Sequence, residues 1–409
     1  MKTSRRHWFR SISLAPLLAW LNRSTAFASI TGRRGRGVYQ ELGIRPVLNF
    51  RGTHTVIGAS KIWPELHEAM AEASRDYVDL NELQDRIGKR LARLVGSESA
   101  MVTTGAAGAI TLGTCAALTG GDVTRVRRLP DLTGLKSEVL IQTVHRNAYD
   151  HAIRNAGVRL VEVAGKNELL AAISPRTALL YYLGGTTGDW AWETPVPLEE
   201  CLELGRKAGF PVMVDAANML PPWENIRKLA ALKTDLICIS GGKHLRGPQC
   251  SGILAGRQDL IAAARLNSNP HADSLGRGLK AGREEMVGVW LAAEKYAQLD
   301  FVDLERQSAR QADYLSQQLR KIPGLAVEPL PHDRTRKVYR VSVQWDESAV
   351  GINTRECEKQ LLEGTPRIAV LRHEGQGITF TVFMNDPGDE REAARRMREI
   401  FARRGPGRA

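Results

Sequence analysis

Long apolar runs are missing from this sequence, so no segment reads as a membrane-spanning helix. Cysteine is scarce and unpatterned. Cys115, Cys201, Cys238, Cys250 and Cys357 make an odd set with no C-x-x-C spacing, which argues against a zinc ribbon and against a disulfide framework. Cys115 and Cys238 lie inside apolar runs and read as small buried hydrophobes. Aromatics are only 6% of residues, and they do not alternate with basic residues as a nucleic-acid groove requires. The formal charge of +12 therefore needs another source. Much of it is terminal: Met1–Ala28 holds five basic residues and no acid, and without it the balance falls to +7. "TGRRGRG" and the tail "ARRGPGRA" carry more of it. Basic ends of this kind are solvated, and no nucleic-acid partner is expected. Internal repeats and low-complexity tracts are also absent.

What is present is an ordinary globular composition, 43% hydrophobic and 25% charged over 409 residues, enough for one large domain and a smaller one. Residues 1–28 read as an export signal: a basic start "SRRHWFR", a short apolar core "ISLAPLLAWL", and "AFA" before Ser29 as a cleavage site. Arg5-Arg6 after Ser4 points to the twin-arginine route, although Phe9 stands one place later than in the usual pattern. The expectation is an exported, periplasmic protein; the alternative is a cytoplasmic one with an uncleaved basic tail.

Residues 29–60 form a linker and lead-in segment. Pro64 opens a helical stretch that Gly96 stops. Short apolar runs then alternate with helix-length stretches: "AMVTT", "EVLIQTV", "VRLVEV", "TALLYYL", "FPVMVDAA" and "DLICIS". Continuous apolar strands with helical crossovers predict a doubly wound, mostly parallel α/β sheet over 61–285. Residues 286–409 begin with one long helix or two joined ones. Strands "KVYRVSVQW", "RIAVLR" and "GITFTVFM" then alternate with helices, predicting a small α+β domain.

In open α/β sheets ligands bind beyond the carboxyl ends of the strands. Four such ends carry reactive groups. "MVTTGAAGAI" opens a helix on Gly105, Ala106 and Ala107, whose bare backbone could receive a phosphate. "LIQTVHRNAYD" ends on His145, "VMVDAAN" on Asp215 and "LICISGGK" on Lys243. Taken singly, each has an ordinary reading: a tight turn, a packed histidine, a helix cap or a solvated lysine. Together, an amine, a carboxylate, a flat imidazole and a phosphate cradle match the needs of pyridoxal 5′-phosphate: a desolvated lysine for its aldehyde, a carboxylate for its ring nitrogen and a helix start for its phosphate. Gly241 and Gly242 would let backbone and cofactor approach where a β-carbon would obstruct.

These motifs resemble the fold type I pyridoxal-phosphate enzymes, and within them the family that contains bacterial selenocysteine synthase and D-glucosaminate-6-phosphate ammonia lyase. The resemblance runs from about Leu42 to Gly288 through "NFRGTHTVIGAS", "VDAAN", "SGGKHLRGPQCSGILAGR" and "GRGLKAGREEM". It implies Lys243 as the lysine bonded to the cofactor, Asp215 on the ring nitrogen, Gly105, Ala106, Ala107 and Ser240 around the phosphate, His145 over the ring, and Asn218 on the phenolic oxygen. Arg372, in "PRIAVLR", is a candidate clamp for a substrate carboxylate or phosphate, with an exposed strand-end arginine as the equal alternative.

The resulting expectation is a lyase that eliminates a β-substituent and releases ammonia from a small amino acid or amino sugar acid. The cofactor-domain pattern begins about a dozen residues after Ser29, leaving no tRNA-holding extension, so a selenium or sulfur transferase acting on aminoacyl-tRNA is the alternative. A non-catalytic descendant would more readily have lost Lys243 or Asp215. A homo-oligomer, dimer or larger even assembly, is expected from the fold type I resemblance.

Overall fold

The structure is a computed structural model that describes residues 37–185, 194–330 and 336–402. The chain divides into two compact units, Met1–Val47 and Leu48–Ala409. In the first, the described residues include one helical turn, Val38–Glu41; the expected signal at 1–28 lies outside the described residues. The second unit carries two large sheets and three apolar cores. Among the described residues no helix is long and apolar enough to cross a membrane.

The larger sheet has seven strands: β1 (Ser99–Thr103), β2 (Glu138–Gln142), β3 (Arg159–Val163), β4 (Thr177–Leu183), β5 (Val212–Asp215), β6 (Leu236–Ser240) and β7 (Gly252–Gly256). Their order is β1-β7-β6-β5-β4-β2-β3. Strands β2 to β6 pair in parallel, and the apolar runs of β2, β4, β5 and β6 are buried on both faces, as a sheet sandwiched by helices demands, while β3 at the sheet edge is partly exposed. Strand β7 runs antiparallel to both β1 and β6 and was not among the predicted strands. Glycines at both ends hide its pattern, and the packing explains them. A β-carbon at Gly252 would lie 2.4 Å from the Gly105 carbonyl carbon, and one at Gly256 2.0 Å from the Asp235 oxygen.

The predicted helix after Pro64 is two helices, α1 (Leu66–Ala73) and α2 (Leu80–Val95). Asp79 breaks the run by accepting from the Asn81 and Glu82 N–H groups at 2.8 and 2.9 Å, which caps α2. Helix α3 (Gly105–Thr119) is apolar all round and buried along most of its length. It packs so tightly that a β-carbon at Gly113 would sit 2.7 Å from the Met213 sulfur. Helix α4 (Arg283–Tyr296) shares a core with the large sheet through Met286, Val289, Ala292 and Ala293. Asp300 then starts α5 (Phe301–Leu319).

The second sheet is antiparallel, with strands β8 (Ala326–Leu330), β9 (Tyr339–Gln344), β10 (Leu371–His373) and β11 (Gly377–Val382) in the order β10-β11-β9-β8. Leu315 and Leu319 of α5 and Met397 of α6 (Asp389–Ala402) pack with Val341, Val343 and Phe380 in its core. The reactive strand ends of the large sheet thus belong to one layer, with β5 and β6 adjacent and β1 separated from β6 by β7.

Candidate active site

Lys243 stands three residues beyond β6, half-buried. Loss of water pushes its amine below the ordinary lysine range; Asp215 opposes that shift and Arg336 adds to it. Its Nζ donates to Asn218 Oδ1 across a long 3.5 Å and lies 5.9 Å from the centre of the Tyr149 ring. The glycines before it admit the close backbone approach expected of them. A β-carbon at Gly241 would meet Ser251 Oγ at 2.2 Å, and one at Gly242 would meet Gln249 Cα at 2.4 Å. The protein's own returning chain requires them, and that chain holds the lysine's turn in place. Ser60 Oγ adds a 2.7 Å bond to the Gly242 carbonyl.

Asp215 ends β5 with only 5% of its surface exposed. Its Oδ1 accepts from the Ala217 N–H at 3.0 Å and its Oδ2 from the Tyr181 hydroxyl at 2.9 Å. Register makes the second bond: Tyr181 of β4 lies opposite Met213, two residues before Asp215 and on the same face. Burial first, and Asp215 next, hold the phenol well above its usual pKa, so the proton stays on tyrosine. Asn147 is a further hydrogen-bond neighbour of that hydroxyl.

At the end of β1, Gly105 takes a φ of +67°, which favours glycine, and starts α3. Thr104 Oγ1 beside it is buried with no hydrogen-bond partner, and Gly252 closes against the Gly105 backbone. Ser240 is buried at the end of β6.

His145 follows β2 and is fully buried. Its ring lies 4.3 Å from that of Tyr182, edge to face, and neither ring nitrogen has a partner. Tyr182 projects to the face of β4 opposite Tyr181. Burial pushes the imidazole down to about 4. Arg372 is engaged by two carboxylates, Glu358 at 2.9 Å and Glu374 at 3.4 Å, and Glu358 also lies 3.8 Å from Arg51. The structure therefore gathers Lys243, Asp215 and Asn218 directly, with the Gly105 turn on the same layer, whereas His145 and Arg372 make their contacts with Tyr182 and with the two glutamates.

Sequence reasoning missed Tyr181, Tyr149, Asn147 and the cations near Lys243. Tyr181 had one signal: a tyrosine inside an apolar strand needs a partner for its hydroxyl. His54 is held below its usual pKa by burial, Arg51 and Lys243, and Arg336 is buried within electrostatic reach of Lys243. Among the described residues no group of three His, Cys, Asp or Glu side chains is placed to hold a metal.

Comparison with known proteins agrees with this geometry. The family profile described as aminotransferase class V matches residues 162–351. A 5′-C-glycyluridine monooxygenase-decarboxylase from a Streptomyces species is 32% identical over 89% of this chain and 92% of its own. The D-glucosaminate-6-phosphate ammonia lyase of Salmonella typhimurium is 30% identical over 89% of this chain and 97% of its own. An L-seryl-tRNA(Sec) selenium transferase from Nitratidesulfovibrio vulgaris is 27% identical over 72% of this chain, which spans 66% of that protein. Among solved structures, a D-glucosaminate-6-phosphate ammonia-lyase superposes with a TM-score of 0.76 at 27% identity, covering 91% of this chain and all of the other.

The residues fit pyridoxal 5′-phosphate. The amine of Lys243 is desolvated, the Asp215 carboxylate is buried and fixed by two donors, and the Gly105 turn presents a helix start next to an unpartnered Thr104 hydroxyl.

Proposed function

This chain belongs to the family of fold type I pyridoxal-phosphate enzymes that includes D-glucosaminate-6-phosphate ammonia lyase, and on that premise we propose that it eliminates a β-hydroxyl from a small amino acid or amino sugar acid and releases ammonia. The supporting observation is the desolvated Lys243 amine next to Asp215, in a chain that aligns with 97% of that lyase.

When bound, the cofactor supplies a protonated ring that withdraws electrons from the substrate carbon bearing the amine. Asp215, held by Tyr181 and Ala217, would keep a proton on the ring nitrogen. Lys243 would hold the cofactor's aldehyde carbon and, as a free amine, would take the proton from the substrate carbon that bears the amine. The electron pair left behind expels the β-hydroxyl, which leaves as water after gaining a proton. Water then replaces nitrogen, so the products are a keto acid and ammonia. We assign the phosphate to Gly105, Ala106, Ala107 and Ser240, the phenolic oxygen to Asn218 and the ring face to His145. The substrate's anionic group goes to the side of Arg51 and Arg336, with Arg372 joined to Arg51 through Glu358.

The test is to incubate holoenzyme with β-hydroxy amino acids and amino sugar acids, with and without a phosphate, and to measure ammonia and keto acid. Equal yields of the two support the reading. Oxygen uptake with carbon dioxide release, the chemistry named for the Streptomyces relative, would replace it, and turnover only with seryl-tRNA would favour the transferase.

We also propose export and a homo-oligomer. Export rests on the basic and apolar pattern of residues 1–28. Replacing Arg5 and Arg6 by lysine should retain the protein in the cytoplasm by cell fractionation. The oligomer rests on the family's habit of completing sites across subunits, and light scattering of an active sample as a monomer would remove it.

A further inference from the structure

A cavity of about 250 Å³ has Trp63, His244, Arg246, Tyr296, Phe383 and Met384 among its lining residues. Lys243, Asp215, Asn218 and Tyr181 take no part in its lining. Flat rings and aliphatic side chains share its walls with polar groups. The His244 ring stacks on Phe383 with centroids 4.9 Å apart at 22°, and the Arg246 guanidinium lies 4.0 Å from the centre of the Trp63 ring.

Two of its polar groups stand out. His244 and Tyr296 are 6% and 1% exposed, yet His244 Nε2 and Tyr296 Oη have no hydrogen-bond partner. Buried polar atoms are rarely left so, because each forfeits its bond to water. Three neighbouring lining groups are already committed. Gln311 donates to the Asp386 carbonyl and to Glu390, Asn385 bonds the Phe383 N–H and the Asn49 carbonyl, and Asp386 is held by Lys61 at 2.5 Å. Arg246 and Met384 also sit at φ of +57° and +65°, a left-handed backbone that non-glycine residues adopt at a cost and that clusters at binding sites.

The field at the inner wall is positive. Burial, and then Arg336 and Lys243, hold His244 well below its usual pKa, so its ring is neutral and can offer an N–H. Arg246 adds a cation on the lining itself.

We propose that this cavity is a second binding site, separate from the catalytic crevice, for a small flat monoanion of the aromatic carboxylate class. The ring would lie against the flat rings of the wall and the carboxylate would accept from His244 Nε2 near Arg246. A single-ring acid suits a space of this size. Because His244 follows Lys243 in the chain, an anion held there favours the charged form of the lysine amine, so occupancy should depress turnover.

The probe is benzoate, with benzyl alcohol as its uncharged counterpart, titrated by calorimetry into the holoenzyme without substrate. Benzoate should bind in the millimolar range or tighter, and benzyl alcohol at least tenfold more weakly. His244→Phe keeps a ring against Phe383 but loses the nitrogen, and should weaken benzoate about tenfold. Leu304 also lines the cavity; Leu304→Trp fills it and should abolish binding while the cofactor absorbance stays unchanged, which also shows that the variant folds. Absence of benzoate binding, equal binding of benzyl alcohol, or undiminished binding by Leu304→Trp would each overturn the proposal.

Discussion

Tyr181 donates its phenolic hydrogen to Asp215 Oδ2 at 2.9 Å, tying the one strand-end carboxylate of the site to the neighbouring strand. The Ala217 N–H shares the task of fixing that carboxylate. Tyr181→Phe keeps the packing and removes the bond. Turnover should fall about tenfold, the worth of one hydrogen bond to a charged group, with cofactor content unchanged. Steady-state kcat and the visible cofactor absorbance check both halves.

Asp215→Asn tests the carboxylate itself. A neutral amide cannot hold the ring nitrogen protonated, so turnover should drop by about a hundredfold or more while cofactor is retained through the Gly105 turn. Near-normal kcat in this variant would remove Asp215 from its assigned role.

Lys243 is the expected point of attachment. Borohydride reduction followed by peptide mapping should find the pyridoxyl label on Lys243, and Lys243→Ala should carry no covalent label. A label on another lysine would reassign the site.

Gly252→Ala should reach the phosphate cradle through packing. Its new methyl would press on the Gly105 backbone at 2.4 to 2.8 Å, costing about 2 kcal/mol of stability and loosening cofactor retention. Gly121→Ala, with nothing within 4 Å of the added carbon, is the neutral control. Thermal melts of both with and without added cofactor make the comparison.

His145 predicts a pH dependence. Burial holds the folded imidazole at about 4, against 6.5 for the free side chain. Above 6.5 both states are neutral and the full stability is present. As pH falls from 6.5 towards 4, the unfolded chain gains a proton that the folded one refuses, so stability is lost across that window and levels off below it. The whole span is worth about 3 kcal/mol. His145→Phe lacks this loss, so its stability relative to the parent should improve between pH 7 and pH 4.5 in denaturant titrations. A constant difference between the two proteins across that range would contradict it.

The sequence by itself determined the layered architecture and the reactive strand ends. Apolar runs such as "TALLYYL" and "DLICIS" bury both faces whatever their neighbours, and a residue that follows such a run must lie at the sheet's edge. That is why Lys243, Asp215 and the Gly105 turn were legible, whereas Asn218 was named only through the family resemblance and its contact with Lys243 came from the structure. Periodicity and spacing report only what a segment does along its own axis. Tertiary structure alone decided that β7 inserts antiparallel between β1 and β6, that Gly241 and Gly242 serve the returning chain at Gln249 and Ser251, and that Arg372 spends its guanidinium on Glu358 and Glu374. It also decided which of two adjacent tyrosines reaches Asp215 and which faces His145. Those outcomes depend on strand order and register, because a shift of one residue turns every side chain to the other face, and register is set by contacts between segments far apart in the chain.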